Sequence, residues 1–299
     1  MATLDSRLIE ALQIDGRMSY TALAEICGVP RAIVSNHVQK LLGSGVVEIV
    51  AVTHPELLGV KALAHVSIEV SGPTQPVAAA LRDSDAAVYV SVVSGQFSVI
   101  TELRVSDHRS LFEEVAWIRR LPGVRAVSTL VYAEVLRGIF MPKEALQSEI
   151  RLDSTDVKII ELLERDGRMS FLKLGELTGL SPSAVRTRTN QLIANSILRI
   201  GAVVKRRGGS VSTAMGMGLN IVESASEVSD AVAALPGMEF CARTLGRFDL
   251  VGTTAAGSAS EAFAMIERLK GMQGVLAIET WTHLEVSKEH YARRLDLRH

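Results

Sequence analysis

The pentapeptide Asp-Gly-Arg-Met-Ser occurs twice in this chain, as Asp15–Ser19 and Asp166–Ser170, at an offset of 151 residues. A repeat constrains the fold before any other feature, because a reading that misses it mis-assigns both halves. Around the motif, Asp5 to Tyr20 aligns with Asp156 to Phe171 with nine identities in sixteen positions. The same offset carries Gly28 onto Gly179, Gly95 onto Gly246, Phe97 onto Phe248, Phe112 onto Phe263 and Gly123-Val124 onto Gly274-Val275. It also carries Glu134-Val135 onto Glu285-Val286 without a gap. A tandem duplication follows, with its seam near Met141–Leu152, where Pro142 and a charged stretch separate the copies.

Each copy divides again by period. Leu4, Leu8, Ile9 and Leu12 fall on one face of a first helix, which Asp15-Gly16 is expected to end through a left-handed glycine cap. Ser19 is placed to N-cap a second helix carrying Leu23 and Ile26. Gly28 then turns the chain into a third helix with Ile33, Val34, Val38, Leu41 and Leu42 inward, followed by a short strand over Val46–Val52. Copy two repeats the pattern with Ile159, Ile160 and Leu163, then Leu174 and Leu177, Gly179, and Val185, Leu192 and Ile193. There Ser181-Pro182 supplies an N-cap and a proline at the first helical position. Three short helices with a glycine turn before the third make a helix-turn-helix.

The remainder of copy one reads as strand Ala62–Val70, helix Thr74–Arg82, strands Val88–Val93 and Phe97–Arg104, helix Asp107–Arg120 and strand Val124–Val135. That is the ferredoxin-like βαββαβ order. Copy two gives the same order between about Val211 and Val286, and Ser287–His299 is expected to form a short C-terminal helix. The fold class is therefore α+β, a tandem repeat of a winged helix-turn-helix and a βαββαβ domain. Four domains are expected, at residues 1–54, 60–140, 152–207 and 210–287.

Composition narrows the function. With 299 residues, 47 % hydrophobic and 22 % charged, the chain reads as a soluble globular protein. The 4 % aromatic share speaks against a base-stacking or sugar-binding surface. No run of about 18 apolar residues is present, so no membrane span is expected. The N-terminus lacks a basic segment followed by an apolar run, so no secretory leader is expected and the cytoplasm is the expected location. Cys27 and Cys241 have no ligand spacing, which excludes a disulfide framework or a cysteine-built zinc site. The seven histidines form no HExxH spacing, and GxSxG, P-loop and strand-following GxGxxG motifs are absent. No catalytic residue, metal ligand or cofactor is expected.

Binding chemistry concentrates in two places. The outward residues of the third helices are Arg31, Ser35, Asn36, His37, Gln39 and Lys40 in copy one. In copy two they are Ser183, Arg186, Thr187, Arg188, Asn190 and Gln191. Such donors and amides suit base edges and phosphates of double-stranded DNA; a solvated helix face is the plainer alternative. Residues 1–50 carry four Lys/Arg against five Asp/Glu, whereas residues 151–207 carry eleven against six. Copy two, with the basic run Lys205-Arg206-Arg207, is expected to hold DNA more strongly. The second place is the turn between the middle strands, Gly95-Gln96-Phe97 and Gly246-Arg247-Phe248-Asp249. Backbone donors and a carboxylate there suit a small effector. The plainer alternative gives glycine to the turn, phenylalanine to the core, and Arg247 to a structural pair with Asp249.

These residues resemble the leucine-responsive and asparagine-responsive regulators, the Lrp/AsnC family. Asp156, Ile160, Leu163, Asp166-Gly167-Arg168, Leu174, Gly179-Leu180-Ser181-Pro182, Val185, Arg188 and Leu192 look like its helix-turn-helix signature. Gly246-Arg247-Phe248-Asp249 looks like the turn of its effector domain, and Leu121-Pro122-Gly123-Val124 resembles the segment before that domain's last strand. The resemblance implies a transcriptional regulator with ACT-like (RAM) effector domains that dimerises, assembles into homo-oligomers and responds to amino acids or other small molecules. Copy one departs from the pattern. His37 stands where copy two has Arg188, Val29-Pro30-Arg31 replaces Leu-Ser-Pro, and Ser98 replaces Asp249. If the two effector domains pair within one chain, they fix two unlike reading heads suited to an asymmetric DNA site. Two alternatives stay open. One is an effector-sensing scaffold that no longer binds DNA. The other is an enzyme similar to siroheme decarboxylases, against which the turns' lack of histidine counts.

Overall fold

The computed structural model describes residues 3–138, 152–204, 213–222, 226–256 and 258–291. Copy one runs α1 (Leu4–Ile14), α2 (Tyr20–Cys27), α3 (Arg31–Gly43), β1 (Val47–Thr53), a 3-10 turn, β2 (Ala62–Val70), α4 (Gln75–Asp83), β3 (Ala87–Val93), β4 (Val99–Val105), α5 (His108–Arg119) and β5 (Val124–Arg137). Copy two runs α6 (Ser154–Arg165), α7 (Phe171–Thr178), α8 (Pro182–Ala194), β6 (Leu198–Val204), β7 (Thr213–Ile221), α9 (Ser226–Ala233), β8 (Met238–Leu245), β9 (Leu250–Ala256), α10 (Ala259–Lys270) and β10 (Val275–Glu289). The chain groups by domain type. One compact unit joins the two helical heads; the other joins the two βαββαβ domains.

In the first unit, hydroxyl and carboxylate caps start the helices. Thr3, Ser19, Asp153, Ser170 and Ser181 each accept a backbone N–H of the first turn, while Pro30 before α3 has no side-chain acceptor and makes none. Gly28 and Gly179 end α2 and α7 with φ of 62° and 77°, a left-handed conformation that glycine adopts without strain. One continuous core runs through both heads, from Leu8, Leu12, Leu23, Val34 and Val38 to Ile160, Leu163, Leu174, Val185 and Leu192.

The short strands find their partners across the copies. β1 and β6 form a two-stranded antiparallel sheet. Val50 faces Gly201, its own counterpart at the 151-residue offset, so a pseudo-twofold axis passes through that pair.

Several expectations for the heads are corrected. Gly16 is not a left-handed cap: Asp15 caps α1 in an extended conformation. Gly16 is glycine because a Cβ there would lie 2.8 Å from the Gly201 Cα. Gly167 meets the Ile49 carbonyl oxygen at 2.9 Å in the same way. Ile26, Ile33, Leu177 and Ile193 are not inward but exposed by 52, 42, 37 and 41 %. Each helix buries only a narrow i, i+4 stripe, such as Leu23 and Cys27 in α2, and these four residues fall beside it.

In the second unit the eight long strands close into one barrel in the order β10-β3-β4-β2-β5-β8-β9-β7. The joints between copies are β5 with β8 and β10 with β3, the same junction made twice. The two βαββαβ domains therefore pair within one chain. Helices α4 and α5 cover one core around Val66, Ile68, Leu81, Leu103 and Ile118, and α9 and α10 cover another around Met217, Leu219, Val232 and Leu269. Residues alternating with these strand positions turn to the inner face. Copy one brings buried His65, Ser67, Ser91, Glu102 and Arg104 there. At the corresponding positions copy two has Gly216, Gly218, Ala242, Thr253 and Ala255. Ser287–Glu289 extend β10 rather than opening a helix, because that strand pairs with β3 as far as Glu289↔Tyr89. The rest of the expected C-terminal helix, 292–299, lies outside the described residues.

Candidate functional site

The reading heads present α3 and α8. Arg31, Asn36, Gln39 and Lys40 on α3, and Ser183, Arg186, Thr187, Asn190 and Gln191 on α8, are exposed, and Ser35 is half-buried. Arg188 is committed elsewhere. Its Nη1 donates to Asp153 Oδ2 at 2.7 Å and to Asp156 Oδ1 at 2.8 Å. Asp153 also closes the capping box of α6, so Arg188 ties α8 to the start of α6. Asp156 and Asp153 raise its guanidinium above the ordinary value. The Asp156 backbone N–H, then Arg188, hold the Asp153 carboxyl low.

At the matching position of copy one, His37 Nδ1 lies 2.7 Å from Asp5 Oδ1. Both residues expected at the DNA interface, Arg188 and His37, thus join the third helix to the first. Asp5, Asp153 and Asp156 were missed in the sequence, although the 151-residue offset pairs Asp5 with Asp156 as it pairs His37 with Arg188. Lys205, Arg206 and Arg207 lie outside the described residues.

The repeated Asp-Gly-Arg motif builds the joint between the heads. Arg17 donates to the Gly167 and Met169 carbonyl oxygens at 2.8 and 2.9 Å and stacks on Phe171. Arg168 returns a bond to the Met18 carbonyl oxygen at 3.1 Å and stacks on Tyr20. The motif thus links the two heads through the turns that follow α1 and α6.

The turns of the barrel meet across the copies. Phe97 and Phe248 flank the Arg247 guanidinium, with ring centroids 4.8 and 4.2 Å from it. Arg247 pairs bidentately with Glu279 on β10, at 2.7 and 3.0 Å. The expected Arg247–Asp249 pair does not form. Asp249 instead accepts the Ile221 backbone N–H at 2.9 Å and secures its own turn. Gly95 holds a φ of 105°, which fixes the Ser94–Phe97 turn.

That turn borders a cavity of about 180 Å³, lined also by Ser67, Ile100, Arg247, Glu279 and Trp281. His65 stands behind it. Its Nε2 is 3.2 Å from Ser67 Oγ, and its ring lies 5.7 Å from the Trp281 ring. Burial, helped by the Arg247 charge, lowers its pKa to about 3, so His65 is neutral near pH 7. Of the expected effector residues, Gly95, Gln96, Phe97 and Arg247 line this cavity, whereas Gly246, Phe248 and Asp249 do not. Glu279 and Trp281 were missed. The signal for them was the departure of copy two from Ser128 and Leu130 at the same offset. Among the described residues, no cluster of three or more His, Cys, Asp or Glu side chains is placed to hold a metal ion. None of the described helices is long and apolar enough to cross a membrane.

Comparison with known proteins places this geometry. Residues 1–42 and 152–193 each match the AsnC-type helix-turn-helix domain. Each half of the chain therefore carries an AsnC-type helix-turn-helix domain, as the resemblance to Lrp/AsnC regulators implied.

The HTH-type transcriptional regulator FL11 of Pyrococcus furiosus is 27 % identical over 134 residues, 44 % of this chain and 89 % of the relative. The regulator LysM of Sulfurisphaera tokodaii is 23 % identical over 135 residues, 45 % of this chain and 96 % of the relative. Both relatives are therefore about one copy long.

Among solved structures, the siroheme decarboxylase NirDL in complex with an iron-uroporphyrin III analogue superposes with a TM-score of 0.60. It covers 98 % of this chain and 96 % of its own at 17 % identity. That likeness establishes a shared fold over the whole chain.

Proposed function

We propose that this chain is a sequence-specific DNA-binding transcriptional regulator whose activity responds to a small molecule. The observation that carries the reading is the pair of AsnC-type heads on one shared core, which presents Arg31, Gln39 and Lys40 on one helix and Arg186, Asn190 and Gln191 on the other. Relatives named as transcriptional regulators support it. The two helices differ at nearly every outward position, so the DNA site has two unlike halves. The effector is an amino acid or related metabolite and enters at the barrel turns around Gly95-Gln96-Phe97 and Arg247. The protein works in the cytoplasm, assembles into homo-oligomers and has no catalytic step.

The second reading is an enzyme, and the whole-chain likeness to NirDL favours it. Against it stands the cavity itself. At about 180 Å³ it falls below the range of roughly 300–1,000 Å³ common for drug-sized ligands. Its nearby histidine is buried and neutral rather than poised to move a proton.

The test is selection of binding sites by the purified chain from a random duplex pool near ~0.1 M salt, with and without amino-acid mixtures. An enriched motif with two unlike half-sites supports the regulator. Salt-sensitive retention without enrichment overturns it, and tetrapyrrole binding is then measured.

A further inference from the structure

The two barrel turns are related by the duplication but are not equivalent. At the first, two buried donors on cavity-lining residues make no hydrogen bond: Arg247 Nε, and Trp281 Nε1, which lies over Gly216. Trp281 is only 7 % exposed. A buried donor without an acceptor is costly, and such orphans mark places where another group completes the set. Glu279 occupies Nη1 and Nη2 of Arg247, so Nε is the guanidinium nitrogen left without an acceptor and the charge is already matched. With His65 neutral, the cavity offers donors without net charge. A bare polyanion would enter uncompensated; a molecule that accepts hydrogen bonds and is neutral overall would not.

The counterpart turn lacks this chemistry. Gly218 replaces Ser67, Leu130 replaces Trp281 and Ser128 replaces Glu279 at the 151-residue offset. The space is also taken. Phe248 is 6 % exposed, and its ring lies where a Cβ on Gly218 would be, 2.1 Å from that position. Leu130 is 1 % exposed and packs against Gly246, whose Cβ would meet its Cδ2 at 2.6 Å.

We infer that the chain binds one ligand rather than two: a small, net-neutral molecule bearing a carboxylate or amide acceptor, held beside Arg247 and Trp281, while Phe248 fills the counterpart site. The inference rests on the reading of these turns as effector sites. It makes the duplicated protein a sensor with a single input governing two reading heads.

The experiment uses the full chain carrying Trp117→Phe, which leaves Trp281 as its one indole. The twenty free L-amino acids and their amides are titrated, with acetate and malonate as anionic controls. Indole emission reports binding and calorimetry reports stoichiometry. The expected result is one site per chain for a zwitterion or amide, with the anions weaker. Arg247→Lys, which keeps the charge and removes Nε, weakens binding by about tenfold, the loss of one hydrogen bond. Trp281→Phe, read by calorimetry, weakens it similarly. Phe248→Ala opens the counterpart space without restoring a donor there, so the stoichiometry stays at one; if that variant does not fold, the stoichiometry of the unmodified chain decides. Two sites in the unmodified chain, preference for malonate, or indifference to both Arg247→Lys and Trp281→Phe overturns the inference alone. Absence of binding by every probe overturns the effector reading with it, and DNA-site selection remains a separate measure of the heads.

Discussion

Arg17 and Arg168 occupy the same position in the two copies, and each donates to the main chain of the other copy's turn. Burial, and then the like charge of Arg168, pull the Arg17 guanidinium below its ordinary value. The contact therefore brings two cations together and holds them with carbonyl oxygens and aromatic faces instead of carboxylates. What reads in the sequence as part of a DNA-binding signature is, in space, the hinge pin of a head-to-head pair.

The bonds are unequal. Arg17 makes two main-chain bonds, and Arg168 makes one while its Nη1 is buried without a partner. Arg17→Ala should therefore destabilise the heads more than Arg168→Ala, by about 1.5–3 kcal/mol for each charge-assisted bond lost. Urea unfolding of both variants measures this. Equal losses, or none, would show that the apolar core carries the joint alone.

Gly16 and Gly167 let the turns approach β6 and β1 closely. Alanine at either position places a Cβ within 3 Å of main-chain atoms, which cannot rotate away as a side chain can. Gly16→Ala and Gly167→Ala should each cost about 1–3 kcal/mol as overpacking, read as a lowered melting temperature. A neutral Gly16→Ala would mean that the turn needs glycine for neither approach nor conformation.

Much of this architecture was legible in the sequence. The 151-residue offset gave two copies, and the caps and strand periods gave nearly every element, because those signals are local. What was hidden lies between the copies. A repeat does not say whether Gly16 packs on its own strand or the other's, and Val50 opposite Gly201 is visible only once the strands pair. Arg247 illustrates the same limit at the candidate site: Asp249 is near in sequence, but the β7–β10 pairing presents Glu279 in a better position. The outward face of the third helix likewise offered Arg188 to DNA, whereas Asp153 and Asp156, both at the start of the first helix, hold it at 2.7 and 2.8 Å.

The recognition helices separate these roles. Arg186 is exposed and Arg188 is paired. Arg186→Ala should weaken specific DNA binding by about 1–3 kcal/mol if it contacts a base edge, with the melting temperature unchanged. Arg188→Ala should instead lower stability by loosening α8 from α6, and Asp156→Asn should do the same. Gel-shift titrations beside melting curves distinguish the two. An Arg188→Ala chain that keeps its stability but loses DNA would return Arg188 to the interface.

His65 sets the acid limit of the barrel. Its folded pKa of about 3 lies below its ordinary 6.5, so the unfolded chain binds the proton more readily than the native one. Stability is therefore full above pH 6.5 and falls as the pH drops toward 3, by about 1.4 kcal/mol per unit from this group. His65→Gln removes the titration while keeping a donor and an acceptor near Ser67. The unfolding free energy of the variant, followed from pH 7 to pH 4, should fall less steeply than that of the unmodified chain. Parallel profiles would show that His65 does not govern the acid transition.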